Sequence, residues 1–325
     1  MKVLVTGGTG FIGSHLIEAL LQKGAKVRCL LRKSSDLRWI KELPVECVFG
    51  DCRDQASLKE AVTGVDFVFH SAGVTKAAKE ETFFEVNAYG TENLIQACLQ
   101  HNPHLQKFIY VSSQAAAGPN PNGNRKKETD ACRPVSPYGQ SKRMGEELAL
   151  SHAHKLPLLI LRPSAVYGPR ERDIYFFFKL LSRGIHLCPS DLDQRLSLCY
   201  VGDVVQAVLL AAQTKALGET FFVSDGQDYS IEKIGDAFAQ ALGTRAFRLC
   251  VPKWILVGIA SFSEYVSRVS QKPPLINKGK VAEMVQKNWV CDITKAITVL
   301  DYAPDTTLNR GAQLTVDWYR KENWL

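Results

Sequence analysis

At 325 residues the chain has room for one large or two modest domains around a real core. Its 46% apolar and 22% charged content is that of a folded globular protein, which sets aside disordered, fibrous and low-complexity classes. The net charge of +7 is mild and spread along the chain, and its densest cluster, Arg125-Lys126-Lys127, lies in a Pro/Gly/Asn loop that reads as solvated rather than as a nucleic-acid surface.

Nine cysteines, an odd number without a C-x-x-C pair, point to reduced thiols in a cytoplasm-like compartment and away from a zinc site, so no metal is expected. The N-terminus enters a strand at once, and no signal peptide is expected. The longest apolar run, 254–262, is about half of what a membrane span needs.

Residues 2–13 read K-V-L-V-T-G-G-T-G-F-I-G. Val3, Leu4 and Val5 form a short apolar run of the kind found in buried parallel strands. Gly7, Gly10 and Gly13 follow, and then a helix with apolar periodicity runs to a stop at Gly24. Strand, glycine turn and helix form the first unit of a dinucleotide-binding fold. The glycines admit a tight turn and a close approach to a pyrophosphate, and the helix N-terminus faces the phosphate charge.

A second strand is expected at 26–31, and its tip should meet the adenosine ribose. It reads Leu31-Arg32-Lys33, with two cations and no early carboxylate, which leans toward NADP over NAD. Strand three is placed at 45–49, followed by Asp51, set to meet the adenine edge, and Cys52. Strand four at 65–70 ends in Ser71-Ala72-Gly73, small residues that let backbone approach a flat ring. A helix is expected over 83–99, where Asn87, Gly90, Thr91 and Asn93 sit at a spacing that predicts buried hydrogen bonds. Strand five at 108–111 gives way to Ser112-Ser113, and the polar segment 118–137 is long enough to be a lid.

Ser136-Pro137 makes a helix start, as N-cap and first-turn proline. Tyr138 and Lys142 then share one face. The same Y-x-x-x-K spacing recurs at Tyr175/Lys179 and Tyr229/Lys233, but only the first pair follows a strand that ends in serines. Strand six is expected at 158–161. Short strands at 198–201 and 221–223 are expected to return to the sheet around a helix capped by Asp203, and the tail from 225 is expected to be mostly helical. The domain reading is a nucleotide-binding domain at 1–168 with 196–224 returning to it, and a substrate domain built from 169–195 and 225–325.

The chemistry this predicts is acid–base work at a carbonyl. A tyrosine with an ordinary pKa of about 10 is a poor proton acceptor at neutral pH, and a nearby ammonium favours its phenolate. A serine hydroxyl, Ser112 or the preferred Ser113, can hold the substrate oxygen while hydride moves to or from a nicotinamide.

Taken together, Thr6-Gly7-Gly8-Thr9-Gly10-Phe11-Ile12-Gly13, His70 to Gly73, Asn87 with Gly90-Thr91-x-Asn93, Ser112-Ser113, Tyr138-x-x-x-Lys142 and Leu161-Arg162-Pro163 with Val166-Tyr167-Gly168-Pro169 resemble the extended short-chain dehydrogenases/reductases over nearly the whole chain. The resemblance implies an α/β fold with a doubly wound parallel sheet (Rossmann fold) and a smaller, mostly helical C-terminal substrate domain. It implies a catalytic Ser113, Tyr138 and Lys142 with Asn87 positioning the helix or a water. It places the cofactor on Gly7, Thr9, Gly10, Phe11, Ile12, Gly13, Arg32, Asp51, Cys52, Ala72, Gly73, Tyr138, Lys142, Pro163 and Val166. A homodimer through the helices bearing Asn87 and Tyr138 is also implied.

Within that group, residues 110–120, Tyr200-Val-Gly-Asp-Val204, Phe221 to Asp225, Lys272-Pro-Pro-Leu275 and Asp292-Ile-Thr-Lys-Ala296 resemble the 3β-hydroxysteroid dehydrogenase branch. This implies interconversion of a secondary alcohol and a ketone on an apolar, steroid-like small molecule, with no nucleic acid and no membrane span. Arg32 departs from the branch, which usually carries an acidic residue near that strand tip. Nucleotide-sugar epimerases and dehydratases of the same superfamily are the alternative, for which Arg170 and Arg172 could bind phosphates, although Ser164 stands where they commonly place Asn. A non-catalytic NADP-binding redox sensor is a third reading, which an intact Ser113-Tyr138-Lys142 set speaks against.

Overall fold

The computed structural model describes residues 1–189, 193–270, 274 and 277–325. Of the motifs above, most of Lys272-Pro-Pro-Leu275 and part of the turn 189–195 lie outside them.

The chain opens with β1 (Lys2–Thr6), α1 (Phe11–Gln22), β2 (Lys26–Leu31) and β3 (Glu46–Phe49). Next come the short α2 (Lys59–Val62), β4 (Phe67–His70), α3 (Glu81–Phe84) and α4 (Gly90–His101), then β5 (Lys107–Val111), the one-turn α5 (Gln114–Ala117), α6 (Pro137–Ser151) and β6 (Leu158–Pro163). After β7 (Ala165–Tyr167) the elements are α7 (Asp173–Ser182), β8 (Ile185–Pro189), β9 (Arg195–Leu196), β10 (Leu198–Tyr200), α8 (Val201–Gln213) and β11 (Glu219–Val223). The tail holds β12 (Tyr229–Ser230), α9 (Ile231–Leu242), β13 (Phe247–Val251), α10 (Lys253–Ser270), α11 (Lys278–Met284), β14 (Asn288–Trp289), α12 (Thr294–Leu300) and α13 (Leu308–Lys321).

Seven strands form one parallel sheet in the order β11-β6-β5-β4-β1-β2-β3. Such strands are covered on both faces, which is why they read as unbroken apolar runs; every residue of β5 and β6 is buried. Leu16, Ile17 and Leu20 of α1 pack on one side with Val204 and Val208 of α8. Leu94, Ile95 and Cys98 of α4 pack on the other. The strand order reverses between β1 and β4, and that switch point opens a crevice at the carboxyl ends of the strands, where ligands bind in open α/β sheets.

A separate aromatic core stabilises the C-terminal region: Phe178 stacks on Phe238 with ring centroids 4.2 Å apart, and Tyr167, Leu308 and Tyr319 close around them.

Four expectations change. Residues Leu198–Tyr200 do form a strand, but it pairs with β7 outside the seven-stranded sheet; only Glu219–Val223 returns to it. Asp203 is not the N-cap of α8: it lies in the first turn, and its carboxylate accepts from the Asp305 and Thr306 amides, tying down the C-terminal tail. The helix expected over 83–99 has a π turn at Glu85–Tyr89, whose extra residue re-aims Asn87. The segment 118–137 is no free lid: Asn120 donates to the Asn288 carbonyl, Lys126 to Val290, and Asp292 to Lys126.

Gly7 takes a φ of +71°, and a Cβ there would lie 2.6 Å from the Ala72 nitrogen. A Cβ on Gly13 would lie 2.2 Å from the Gly7 carbonyl oxygen. Gly13→Ala should therefore push α1 off the turn, lowering stability by about 2 kcal/mol or more in denaturant melts and weakening nicotinamide-nucleotide binding in titrations. A variant that keeps both at wild-type levels would show that the close approach is dispensable.

Candidate active site

The carboxyl ends of β1, β4 and β5 supply the floor of the crevice. Gly10 is exposed at the tip of the first turn, its amide donating to the Gly7 carbonyl, and α1 begins at Phe11 with its free amides toward the crevice. The Ser71 amide and hydroxyl both hold the Thr6 carbonyl, and the Ala72 amide reaches the Thr6 hydroxyl.

Beneath this loop runs a buried polar chain. Thr6 Oγ1 lies 2.7 Å from His70 Nδ1, and His70 Nε2 lies 2.9 Å from Thr91 Oγ1. The Thr91 hydroxyl donates to the Asn87 carbonyl, so its oxygen is the acceptor for His70 Nε2–H, and Nδ1 in turn accepts from Thr6. Burial drives the His70 pKa down to about 3, helped by the Lys142 charge, so the ring is neutral.

The Asn87 side chain completes the arrangement. Its Oδ1 accepts from the Val74 amide at 2.8 Å, and its Nδ2 donates to the Val74 carbonyl and to Ser141 Oγ, both at 3.0 Å. One side chain thus ties the loop after β4 to the helix that bears Tyr138. Gly73 fits because a Cβ there would stand 3.0 Å from Asn87 Oδ1.

Ser136 caps α6, accepting from the Gly139 amide, with Pro137 in the first turn. This sets Tyr138 beside Ser113, the second residue past the end of β5. Burial pushes the Tyr138 phenol up to about 12, while its hydrogen bond with Ser113 acts in the opposite direction and the Glu283 carboxylate adds to the rise. Ser113 also caps α5 by accepting from the Ala115 amide, whereas Ser112 is buried beneath, beside the Tyr110 phenol. Lys142 is buried, donates to the Val111 carbonyl at 2.9 Å and lies 4.5 Å over the Tyr110 ring. Desolvation lowers its ammonium to about 7, partly offset by Glu146. Its Nζ would be 3.8 Å from a Cβ on Gly73, which places it under the loop.

The other two Y-x-x-x-K pairs go elsewhere. The Tyr175 hydroxyl donates to the Trp324 carbonyl inside the aromatic core, and that of Tyr229 to Asp225.

Arg32 is exposed past the tip of β2, and the nearby Asp36 carboxylate is already held by Arg38. Asp51 follows β3 and is gripped by Arg53, which keeps its carboxyl below the usual range. Cys52 turns its side chain into the core against α4, and its carbonyl accepts from Asn93. Thr9, Phe11 and Ile12 are half-buried at the first turn, Pro163 ends β6 and Val166 lies on β7 beside it. Arg170 is committed to Glu18 of α1 at 2.5 Å and stacks 5.0 Å over Trp39.

Two features of the site, involving three residues, were given no role from the sequence. Glu283, on α11, accepts from the Ser136 hydroxyl at 2.5 Å, and only the tertiary fold brings it there from 147 residues away. Arg162 and Glu146 form a buried pair at 2.7 Å behind Lys142; the i,i+4 spacing of Lys142 and Glu146 was a signal that could have found half of it.

A family profile described as the NAD dependent epimerase/dehydratase family matches residues 3–231. The chain belongs to that family. It is an enzyme of the extended short-chain dehydrogenase/reductase type, an oxidoreductase group. Over its full length it is similar to a ceramide reductase of Caulobacter vibrioides, at 28% identity over 99% of this chain and 96% of the relative. It is 30% identical to mouse 3 beta-hydroxysteroid dehydrogenase type 7, over 97% of this chain and 94% of the relative. Among solved structures, the UDP-glucose 4-epimerase of Thermus thermophilus in complex with NAD superimposes with a TM-score of 0.77 at 27% identity, covering 98% of this chain and 99% of that one.

The neutral His70 makes a stability prediction. An unfolded histidine titrates near 6.5, so between about pH 3 and 6.5 the unfolded chain binds a proton that the folded ring refuses, and stability rises with pH across that window. His70→Gln should remove this contribution, about 1.4 kcal/mol per pH unit at most, from urea melts between pH 4.5 and 7. Equal slopes in wild type and variant would mean that His70 is protonated in the fold.

Proposed function

We propose that this enzyme moves hydride between a nicotinamide dinucleotide and a secondary alcohol/ketone pair on an apolar, 3β-hydroxysteroid-like or other lipidic substrate. The observation that carries the reading is the fate of the three Y-x-x-x-K pairs: only Tyr138 stands beside a serine just past a strand end, and only Lys142 is buried under the crevice loop. The names of the ceramide reductase and steroid dehydrogenase relatives support an apolar substrate.

The glycine turn suits a dinucleotide, since side chains at Gly7 or Gly13 would strike backbone and open the tight turn that leaves the first amides of α1 for a pyrophosphate. Gly7, Gly10, Gly13 and the first amides of α1 would hold the pyrophosphate, Arg32 and Asp51 the adenosine, Ala72 and Gly73 with Pro163 and Val166 the nicotinamide. When bound, that cofactor supplies or accepts the hydride. Tyr138 gives its proton to the carbonyl oxygen in reduction and takes it back in oxidation. Ser113 orients that oxygen, and Lys142 stabilises the phenolate and holds the nicotinamide ribose. Asn87 acts as a positioning residue through Val74 and Ser141. Arg32 favours NADP over NAD. The division into a nucleotide-binding part (1–168 with 196–224) and a substrate-binding remainder, a homodimer through α4 and α6, and a reducing cytoplasmic compartment suited to nine unpaired cysteines complete the proposal.

The second reading, a nucleotide-sugar epimerase or dehydratase, is favoured by the likeness to the Thermus thermophilus epimerase. Against it, Arg170 is occupied by Glu18.

Tyr138→Phe should bind NADPH as wild type does and lose at least about a thousandfold in kcat, read by nicotinamide absorbance; an active variant would remove Tyr138 from the mechanism. Arg32→Ala should weaken NADPH about tenfold while leaving NADH within about twofold, by fluorescence titration. Loss of both in equal measure would end the NADP preference. A thermal shift with UDP-glucose larger than that with NADPH would put the epimerase reading first.

A further inference from the structure

Among the described residues, the outer face of α10 has no partner. Its inner face is narrow: Leu256 and Ala260 pack on Val281 of α11. Around the rest, Trp254, Gly258, Ile259, Phe262, Tyr265 and Val266 are exposed, with Ile255 half-buried among them. At 100° per residue these seven positions fill one continuous sector of about 140° without a single charge. The exposure is large, 73% for Trp254, 69% for Phe262 and 67% for Tyr265. A contiguous apolar surface of this size marks an interaction site.

The basic charge is concentrated in the same stretch of sequence. Residues 244–290 contain eight Lys or Arg against two Glu, so the +7 of the whole chain, expected above to be spread evenly, is nearly all held by this segment. Lys253 opens α10, and Lys278 and Lys280, both largely exposed, lie at the start of the helix that packs against it, in surface pairs with Glu264 at 3.9 Å and Glu283 at 3.3 Å that leave the segment's net positive charge in place. An apolar aromatic face with Trp and Tyr, set in a basic surround, matches the boundary of a bilayer that carries anionic lipid. A second copy of the chain on this face would bring two such basic segments together. Among the described residues no helix is long and apolar enough to cross a membrane, so the contact is one of lying on the surface.

The face is also close to the chemistry. α11 rests on the start of α6, where a Cβ on Gly279 would lie 3.1 Å from Pro137 Cδ and the Glu283 carboxylate accepts from Ser136. Tyr138 follows Pro137 directly.

We propose that the outer face of α10 docks the enzyme on an anionic membrane surface, so that an apolar substrate passes from lipid to Tyr138 without crossing water. The purpose of the docking rests on the apolar-substrate reading above; the docking itself does not. The test is sedimentation of the full chain with vesicles of phosphatidylcholine alone and of phosphatidylcholine with phosphatidylglycerol. Binding should be at least about tenfold stronger to the anionic vesicles and should weaken with salt. Phe262→Glu with Ile259→Glu should abolish it, and Trp254→Ala, which adds no charge, should weaken it several-fold; Gln313→Glu on the exposed side of α13 should not. Circular dichroism verifies that the variants fold. No binding to either vesicle, or binding that survives the double substitution, overturns the proposal. So does a wild-type dimer that the double substitution splits, because a second copy would then own the face. Turnover of a short, water-soluble ketone is measured alongside: its failure with vesicle binding intact counts against the oxidoreductase reading alone.

Discussion

The grip of Asn87 on Val74 is the contact on which the site depends. A primary amide offers two donors and two acceptor positions, and here it uses both ends on one backbone unit while its remaining donor reaches Ser141. The loop that follows β4 is thereby set against α6 at hydrogen-bond precision. The Asn87 carbonyl also accepts from Thr91 and from Tyr110, so the π turn that displaces this residue from regular helix spacing leaves its backbone oxygen free for two side chains. Through Thr91 and His70 the same network reaches Thr6 at the end of β1. Fully satisfied networks of this kind rigidify a core, and a half-satisfied one would be costly in so dry a place. The rigid loop, the glycine turn and the helix that bears Tyr138 are therefore one mechanical unit.

The electrostatics of that unit are set by burial. Lys142 is stripped of water and meets only a carbonyl, a tyrosine face and, at longer range, Glu146. A neutral His70 close by adds no competing charge. The Tyr138 phenol, raised by burial, is a proton donor over the whole physiological range until an added positive charge changes the balance.

Much of this was legible in the sequence, for reasons that are local. The glycine turn after a Val-Leu-Val strand could be read because its geometry is set within twelve residues, and Ser136-Pro137 because a cap and a first-turn proline act on the nearest amides. The serine choice was half legible: the strand end was visible, but which hydroxyl faces the phenol is fixed by the pleat, which turns Ser112 inward. What could not be read depends on distant partners. Leu198–Tyr200 looks like any short strand, and its joining β7 rather than the main sheet follows from contacts with residues thirty positions away. Asp203 has the composition of a cap but is taken by the tail, a century of residues later. That the Cys52 side chain packs into the core against Gly90 of α4 was likewise beyond reach, because its neighbour lies on a helix almost forty residues on.

The strap between 118–137 and the tail bears on the order in which the molecule is assembled. Lys126 lies in register beside Cys291, and its backbone exchanges hydrogen bonds with Val290 and Asp292. Asn288 reaches back to the Asn120 and Asn124 carbonyls. During synthesis the sheet strands through β6 can pair while the strap segment still has no partner, and the start of α6 waits for Glu283. The Tyr138 end of the crevice is thus among the last parts to close, through contacts of high sequence separation that form slowly. A nascent chain can hold a nucleotide fold before it holds an enzyme.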